Sequence, residues 1–126
     1  MAKSLYEGKF YSTDLTVTAA TTYTTASGVV NTANMSRVSI VATAKGANAS
    51  SSGAVTFATS ARVNNVWSTD IFLSFTVTVA DTAVKSSAPE IIDVDGISAI
   101  KVVSVTNGDA TYDAEAVNLL YGNVQS

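Results

Sequence analysis

Apolar and polar residues alternate along most of this chain, with the period of two that is typical of β-strands buried on one face. The alternation is clearest from Ile71 to Ala80. One face of that segment carries the apolar residues Ile71, Leu73, Phe75, Val77 and Val79, and the other carries Ser74, Thr76 and Thr78. A shift by one residue would expose the whole apolar face, so the register of this strand should be well defined. We predict that the strand lies at the centre of the hydrophobic core.

Other segments show the same alternation, beginning with Asp14–Ala20. In Ser36–Lys45, one face carries Val38, Ile40 and Ala42, and the other carries Ser39, Val41 and Thr43. A loop of small residues, Gly46–Gly53, separates this run from a second alternating run, Ala54–Val63. We predict that the two runs form a hairpin, and that Asn64-Asn65 makes the next turn.

The last third of the chain predicts two long strands joined by a tight turn. The first strand covers Ile97–Thr106, the turn is Asn107-Gly108, and the return strand covers Ala110–Leu120. Asn-Gly between apolar runs favours a two-residue type I′ turn, because both central positions need a positive φ. Upstream, the short run Ile91–Val94 ends at Asp95-Gly96, which predicts a second turn of the same kind.

These segments amount to about eight strands and no convincing helix. A chain of 126 residues is long enough for one domain with a single core. Short strands at even spacing are typical of sandwiches and barrels, and eight strands suit a jelly roll. We therefore predict an all-β, single-domain antiparallel β-sandwich of jelly-roll type over residues 13–126, preceded by an N-terminal arm over residues 1–12.

The predicted arm carries three large side chains, Tyr6, Phe10 and Tyr11, among polar neighbours. One interpretation is an edge strand or an ordered tail that packs on its own domain. The other is an extended arm that grips a neighbouring subunit, since extended segments pair with sheet edges and dock alternate side chains in pockets. On the second interpretation these three residues form a partner interface, and deletion of residues 1–12 weakens partner binding while the domain stays folded.

The composition is rich in Ser, Thr, Ala and Val, and only 13% of the residues are charged, against about 25% in typical globular proteins. The net charge is −3, and the seven basic residues are scattered along the chain. Nucleic-acid binding needs a basic face that contacts phosphates, so this charge distribution argues against it. A surface of Ser and Thr suits a protein that is packed against neighbours.

The chain has no cysteine and no histidine. The first absence removes disulfides, thiolate metal sites and a cysteine nucleophile. The second removes the side chain most used for proton transfer near neutral pH, and leaves the many serines without a histidine to activate them. We therefore predict a protein that is not an enzyme, with no catalytic residue, no cofactor and no metal site.

Two pairs of carboxylates are the candidates for chemistry. Asp93 and Asp95 could begin a calcium loop, but the residues that follow lack the further oxygen ligands, and turn formation is the favoured interpretation. Asp113 and Glu115 share a strand face and could act on a glycosidic bond if their separation were suitable. We favour a solvated strand face for them. Trp67 is the sole tryptophan, and it has no neighbouring aromatic cluster to form a sugar-stacking surface.

The N-terminal sequence MAKSLYEGKF lacks the apolar segment of a signal peptide. No run in the chain approaches the roughly 18 apolar residues that a membrane helix requires. We therefore expect a protein that is made in the cytoplasm, is not exported by the general secretory route and does not associate with a membrane.

The segment from Asp93 to Gly122, DVDGISAIKVVSVTNGDATYDAEAVNLLYG, resembles the closing hairpin of small β-sandwich proteins in the virions of tailed bacteriophages. The low charge, the missing Cys and His, and the aromatic N-terminal arm are also similar to capsid decoration (cement) proteins. The resemblance implies a structural protein of the virion, on the capsid surface. It would bind the outer face of the major capsid protein, usually as a homotrimer, and stabilise the shell. A tail or head-fibre component and a carbohydrate-binding β-sandwich module are the alternatives.

Overall fold

The computed structural model describes residues 4–24 and 28–125, and within these ranges it contains strands and no helix. The strands are β1 (Ser4–Lys9), β2 (Leu15–Val17), β3 (Thr22–Tyr23), β4 (Val29–Asn31), β5 (Arg37–Gly46), β6 (Ala54–Val63), β7 (Val66–Trp67), β8 (Ser74–Thr78), β9 (Lys85–Ser86), β10 (Glu90–Asp93), β11 (Ala99–Asn107) and β12 (Ala114–Gln125). The all-β prediction is confirmed, with several short strands in addition to the eight expected.

Two antiparallel sheets form a sandwich, which confirms the predicted architecture. Sheet A has the order β1-β12-β5-β10, with β2 also paired to β12 and β9 to β5. Sheet B has the order β3-β11-β6-β7, with β4 also paired to β11 and β8 to β6. The inner faces of the long central strands supply the largest fully buried side chains, which include Ile40, Phe57, Ile100 and Leu119.

The two long hairpins expected from the sequence do not form. β11 belongs to sheet B and β12 to sheet A, and the two strands do not pair. β5 and β6 are likewise divided between the sheets. Each of these connections leads from one sheet to the other. Strands with one strongly apolar face bury more area when they face each other across the sandwich than when they extend one sheet.

Asn107-Gly108 therefore makes a corner between the sheets, and neither residue has a positive φ. The Asn107 amide nitrogen donates to the carbonyls of Val17 and Tyr112, at 3.2 and 3.0 Å. The side-chain carbonyl of Asn107 accepts from the backbone N–H of Asp109 at 3.0 Å. These side-chain bonds support a corner that a two-residue hairpin would not need.

The type I′ geometry occurs instead at Asn64-Asn65, where the sequence predicts a turn. Both residues have a positive φ, 50° and 63°, and Val63 pairs with Val66 across the turn. The Asp95-Gly96 turn also forms, closed by a 3.0 Å bond from the N–H of Ile97 to the carbonyl of Val94. In that turn Gly96 alone has a positive φ, 80°, so it is not the predicted type I′ turn.

The segment predicted as the central strand is shorter and lies at an edge. β8 covers only Ser74–Thr78 and pairs with β6 alone. Phe75 and Val77 are buried as expected, but Ile71 is 60% exposed. The alternation identifies the face of the strand correctly, whereas the position of the strand in the sheet depends on its neighbours.

The predicted boundary at residue 12 does not separate an arm from the domain. β1 pairs along its whole length with the end of β12, from Ser4↔Gln125 to Lys9↔Leu120. Phe10 and Tyr11 are 6% and 8% exposed and belong to the core. This is the arrangement of an edge strand on its own domain. It corrects the expectation that Phe10 and Tyr11 are surface residues available to a partner, because the core packs around both rings.

Asn118, which the sequence reading did not single out, attaches this N-terminal segment to sheet A. Its amide accepts from the backbone N–H of Tyr11 at 3.1 Å and donates to the carbonyl of the same residue at 2.8 Å. It also donates to the Asp14 carboxylate at 2.7 Å. The fully buried side chain thus holds the connection between β1 and β2 against β12.

A buried carboxylate makes the stability of the corner dependent on pH. The backbone N–H groups of Ser52, Thr111 and Tyr112 donate to Asp109 at 2.9 to 3.1 Å, and these bonds hold its pKa below the usual range. A lowered pKa stabilises the fold above the unfolded value of about 3.9, and this contribution is lost as the pH falls through the folded value.

We expect Asp109→Asn to lower the urea midpoint at pH 7, because an amide cannot accept all three bonds. The difference from the unmodified protein should shrink as the pH falls below about 4. Urea titrations from pH 7 to pH 2 measure both effects, with the exposed Asp70→Asn as the control. A difference that stays constant across this pH range would contradict the assignment.

Candidate functional site

The outer face of sheet A carries a shallow groove with a volume of about 870 Å³. We call it the sheet-A groove. Strands β5 and β12 form its floor, β1 forms one wall, and the segment around β9 forms the other. The lining residues used below are Glu7, Lys9, Ser39, Val41, Val84, Pro89, Leu120 and Gly122. The sequence predicted that Ser39 and Val41 share the face of β5 opposite to Val38, Ile40 and Ala42, and the structure confirms this.

Strand register brings the apolar part of the floor together. Val41 pairs with Leu120, and Leu120 pairs on its other side with Lys9. In the adjacent row, Gly122 lies between Ser39 and Glu7. Because paired residues share a sheet face, the floor combines apolar side chains with a central position that carries no side chain. Pairing across the whole sheet creates this surface, and the separate strands do not predict it.

Exposed apolar side chains extend the surface beyond the floor. Val84 is 59% exposed on the wall formed by the segment around β9. Ile91 on β10 pairs with Ser39 on β5 and is 72% exposed. Lys9 at the other wall forms an ion pair with Asp14 at 3.3 Å. The groove is thus open, largely apolar and weakly charged. This chemistry suits contact with another protein surface better than the positioning of a reacting group.

A second apolar patch lies at the β6–β7 hairpin. Val63, Val66 and Ile71 are 53%, 67% and 60% exposed there. These residues line a shallow pocket together with Phe72 and Ile97. We call this surface the hairpin patch.

The carboxylate pairs have structural roles. Asp93 accepts the backbone N–H of Asp95 at 3.0 Å, which is the turn formation favoured from the sequence. Asp113 accepts the backbone N–H of Ala19 at 3.0 Å, and Glu115 lies 3.9 Å from the Lys45 ammonium. Within the described residues, no three His, Cys, Asp or Glu side chains come together in a group that could hold a metal ion.

Cations cover Trp67 on sheet B. The Lys101 ammonium lies 4.4 Å from the centre of the ring, and the Arg62 guanidinium lies 5.4 Å from it. The Arg62 side chain also donates to the Ser98 hydroxyl at 2.8 Å. Such cation–π contacts stabilise the surface, and they give Trp67 a structural role within sheet B.

Of the three residues predicted to contact a partner, only Tyr6 is on the surface, with 49% exposure. A role for Tyr6 in partner contact stays a prediction.

No helix in the described part of the chain is long and apolar enough to cross a membrane.

No known family model and no curated protein sequence matches the chain. Among solved structures, the VP2 subviral particle of infectious bursal disease virus is similar, with a TM-score of 0.52 and 12% identity over 98% of this chain and 33% of that one. A T13 particle of the same virus has a TM-score of 0.52 and 11% identity over 98% and 31%. The carbohydrate-binding module CBM36, solved with calcium and xylotriose, has a TM-score of 0.44 and 17% identity over 95% and 98%.

The chain spans about one third of the length of the two viral proteins. At such low identity the likeness concerns the fold alone. It confirms a small β-sandwich of a kind that also occurs in virus particles.

Proposed function

We propose that this protein is a non-enzymatic structural component of a phage virion that binds the outer surface of the capsid and stabilises the shell. The observation that supports the proposal is the sheet-A groove, an open apolar surface of low charge on a rigid two-sheet scaffold. A shell protein fills such a groove with apolar side chains and excludes water from Val41 and Leu120.

Repetition over the shell strengthens contacts that are modest individually. If copies of this chain associate as trimers, three grooves engage the shell together, and the effective concentration of the second and third contacts raises the overall affinity. The hairpin patch is a surface through which copies can associate, because it is apolar and lies on the other sheet. Sedimentation equilibrium of the purified chain measures the oligomeric state directly.

Gly122→Phe tests the docking surface. A Cβ at this position finds nothing closer than the Glu7 side chain at 3.8 Å, so the fold accommodates the new ring, which then occupies the floor of the groove. We expect the affinity for capsids stripped of this chain to fall about tenfold or more, equivalent to about 1.4 kcal/mol. The melting temperature should stay close to that of the unmodified protein.

Ala49→Phe is the matched control, because it adds the same ring in the exposed loop that follows β5. Co-sedimentation with the stripped particles, quantified by mass spectrometry, gives the affinity and the copy number. Unchanged binding by Gly122→Phe would remove the groove from the proposal. A chain absent from all particles of its source would remove the virion role itself.

A further inference from the structure

Strand β10 (Glu90–Asp93) lies at one edge of sheet A and pairs with β5 alone. Within residues 4–24 and 28–125, no strand pairs with its other side. A strand in this position presents unpaired backbone groups, to which a further strand can form hydrogen bonds. We call the free side of this strand the β10 edge.

A hydrogen bond next to β10 shows which of its backbone groups point outward. The N–H of Val94 donates to the carbonyl of Ser36 at 2.9 Å, and these two residues continue the register of β10 and β5. Bonded and non-bonded pairs alternate along an antiparallel ladder, so Ile92, two residues earlier, is also bonded to β5. The N–H and C=O groups of Ile91 and Asp93 therefore point away from β5.

The side chains of the β10 edge place carboxylates at both ends and isoleucines between them, in the order Glu90, Ile91, Ile92, Asp93. Ile91 is 72% exposed, and both carboxylate residues are exposed as well. Neither carboxylate forms an ion pair with a described residue, although Arg37 lies opposite Asp93 in the ladder. Many natural edges are protected by lysine, whereas this one combines an exposed apolar side chain with net negative charge.

We infer that the β10 edge binds an extended segment of a partner protein, which adds a strand to sheet A. Residues directly opposite in a sheet share a face and interact, so a basic side chain should meet each carboxylate and an apolar one each isoleucine. The segment therefore has the order basic, apolar, apolar, basic, which is the same in both chain directions. Main-chain bonds to Ile91 and Asp93 hold the segment, and its side chains give the specificity.

The inference rests on the proposed function only for the source of this segment, which would be the shell protein. Ile91 pairs with Ser39, a residue of the sheet-A groove, so the added strand would extend the docking surface beyond the groove. A second copy of this chain is a poorer occupant, because its own β10 would bring the same carboxylates to the edge.

Two end-capped peptides test the inference on the purified full chain, in titrations followed through backbone amide NMR signals. The lysine peptide is Thr-Lys-Val-Val-Lys-Thr, and the glutamate peptide, Thr-Glu-Val-Val-Glu-Thr, has the same apolar residues with the opposite charge. We expect saturable binding of the lysine peptide and weaker binding of the glutamate peptide, by about tenfold or more. Hydrogen exchange at the amides of Ile91 and Asp93 should slow when the lysine peptide binds, because both N–H groups become bonded.

Ile91→Pro tests the main-chain bonds, because it removes an N–H that points outward, and proline is tolerated at such positions of edge strands. We expect its melting temperature to stay close to that of the unmodified protein and its affinity for the lysine peptide to fall about tenfold or more. Ile91→Val is the matched control, since it keeps the N–H and a β-branched apolar side chain, and it should bind as the unmodified protein does. The double variant Glu90→Gln/Asp93→Asn should lose the preference for the lysine peptide.

The inference is overturned if the lysine peptide shows no saturable binding, if both peptides bind equally, or if a folded Ile91→Pro variant binds at full strength. If Ile91→Pro does not fold, the double variant decides, and an unchanged preference for the lysine peptide would overturn the inference. Slow exchange at Ile91 and Asp93 without peptide, lost on dilution, would identify a second copy as the occupant and overturn it too. Gly122→Phe measures capsid binding by the sheet-A groove separately, so none of these results removes that proposal.

Discussion

Deletion of residues 1–12 is expected to leave no folded monomer at 25 °C. The deletion removes two aromatic rings from the core, since Phe10 and Tyr11 are 6% and 8% exposed. Removal of one such ring from a core costs about 3–5 kcal/mol, and an entire domain is stable by only about 5–15 kcal/mol. It also removes β1 from the edge of β12 and leaves Asn118 without the backbone of Tyr11, to which it hydrogen-bonds.

Circular dichroism and urea titration of the chain 13–126 measure this effect. The double variant Phe10→Ala/Tyr11→Ala in the full chain is the companion experiment, because it removes the rings and keeps β1. We expect the double variant to be strongly destabilised and the deletion to be more so. A truncated chain with the urea midpoint of the full chain would show that the first twelve residues are an arm after all.

Phe75→Ala is expected to destabilise the domain by about 3–5 kcal/mol, because it leaves a cavity in the core. Phe75 is 3% exposed and pairs with Phe57, the largest of the fully buried side chains. The two residues are opposite each other on the edge strand β8 and the central strand β6. The loss should appear as a lower urea midpoint with an unchanged denaturant slope.

Ile71→Ala is the matched control for this variant. The sequence pattern assigns Ile71 and Phe75 to one apolar face, but Ile71 is 60% exposed. A substitution at such a site changes stability by about 0.5 kcal/mol or less. Equal losses from the two variants would mean that both residues face the core, as the alternation alone predicts.

The arrangement of the strands explains how one small domain offers two different surfaces. Sheet A presents an apolar groove outward. Sheet B carries its apolar patch at the β6–β7 hairpin and, elsewhere, the cross-strand pairs Thr22–Thr106 and Thr56–Thr76, whose hydroxyls lie 2.9 and 3.3 Å apart. Hydroxyl pairs of this kind satisfy one another across the strands. The outer faces of the two sheets therefore differ in chemistry.

The sequence by itself determined the fold class and the faces of the main strands. Alternation of apolar and polar residues is a local property, and burial of one face follows from it wherever the strand is placed. Hence Val38, Ile40 and Ala42 are buried as predicted, and Val41 is on the outer face that forms the groove. The turn at Asn64-Asn65 was also predictable, because its backbone requirement is met by two neighbouring residues.

The tertiary structure alone decided which strands pair, and therefore where the surfaces lie. Asn107-Gly108 has the local chemistry of a hairpin, yet β11 and β12 enter different sheets, because burial of both apolar faces across the core outweighs the preference of a single turn. Val41 and Leu120 meet in the groove, and Tyr6 meets Asn123, only because residues far apart in the chain pair in register. Such long-range pairing depends on the burial of the whole domain, which no short sequence pattern contains.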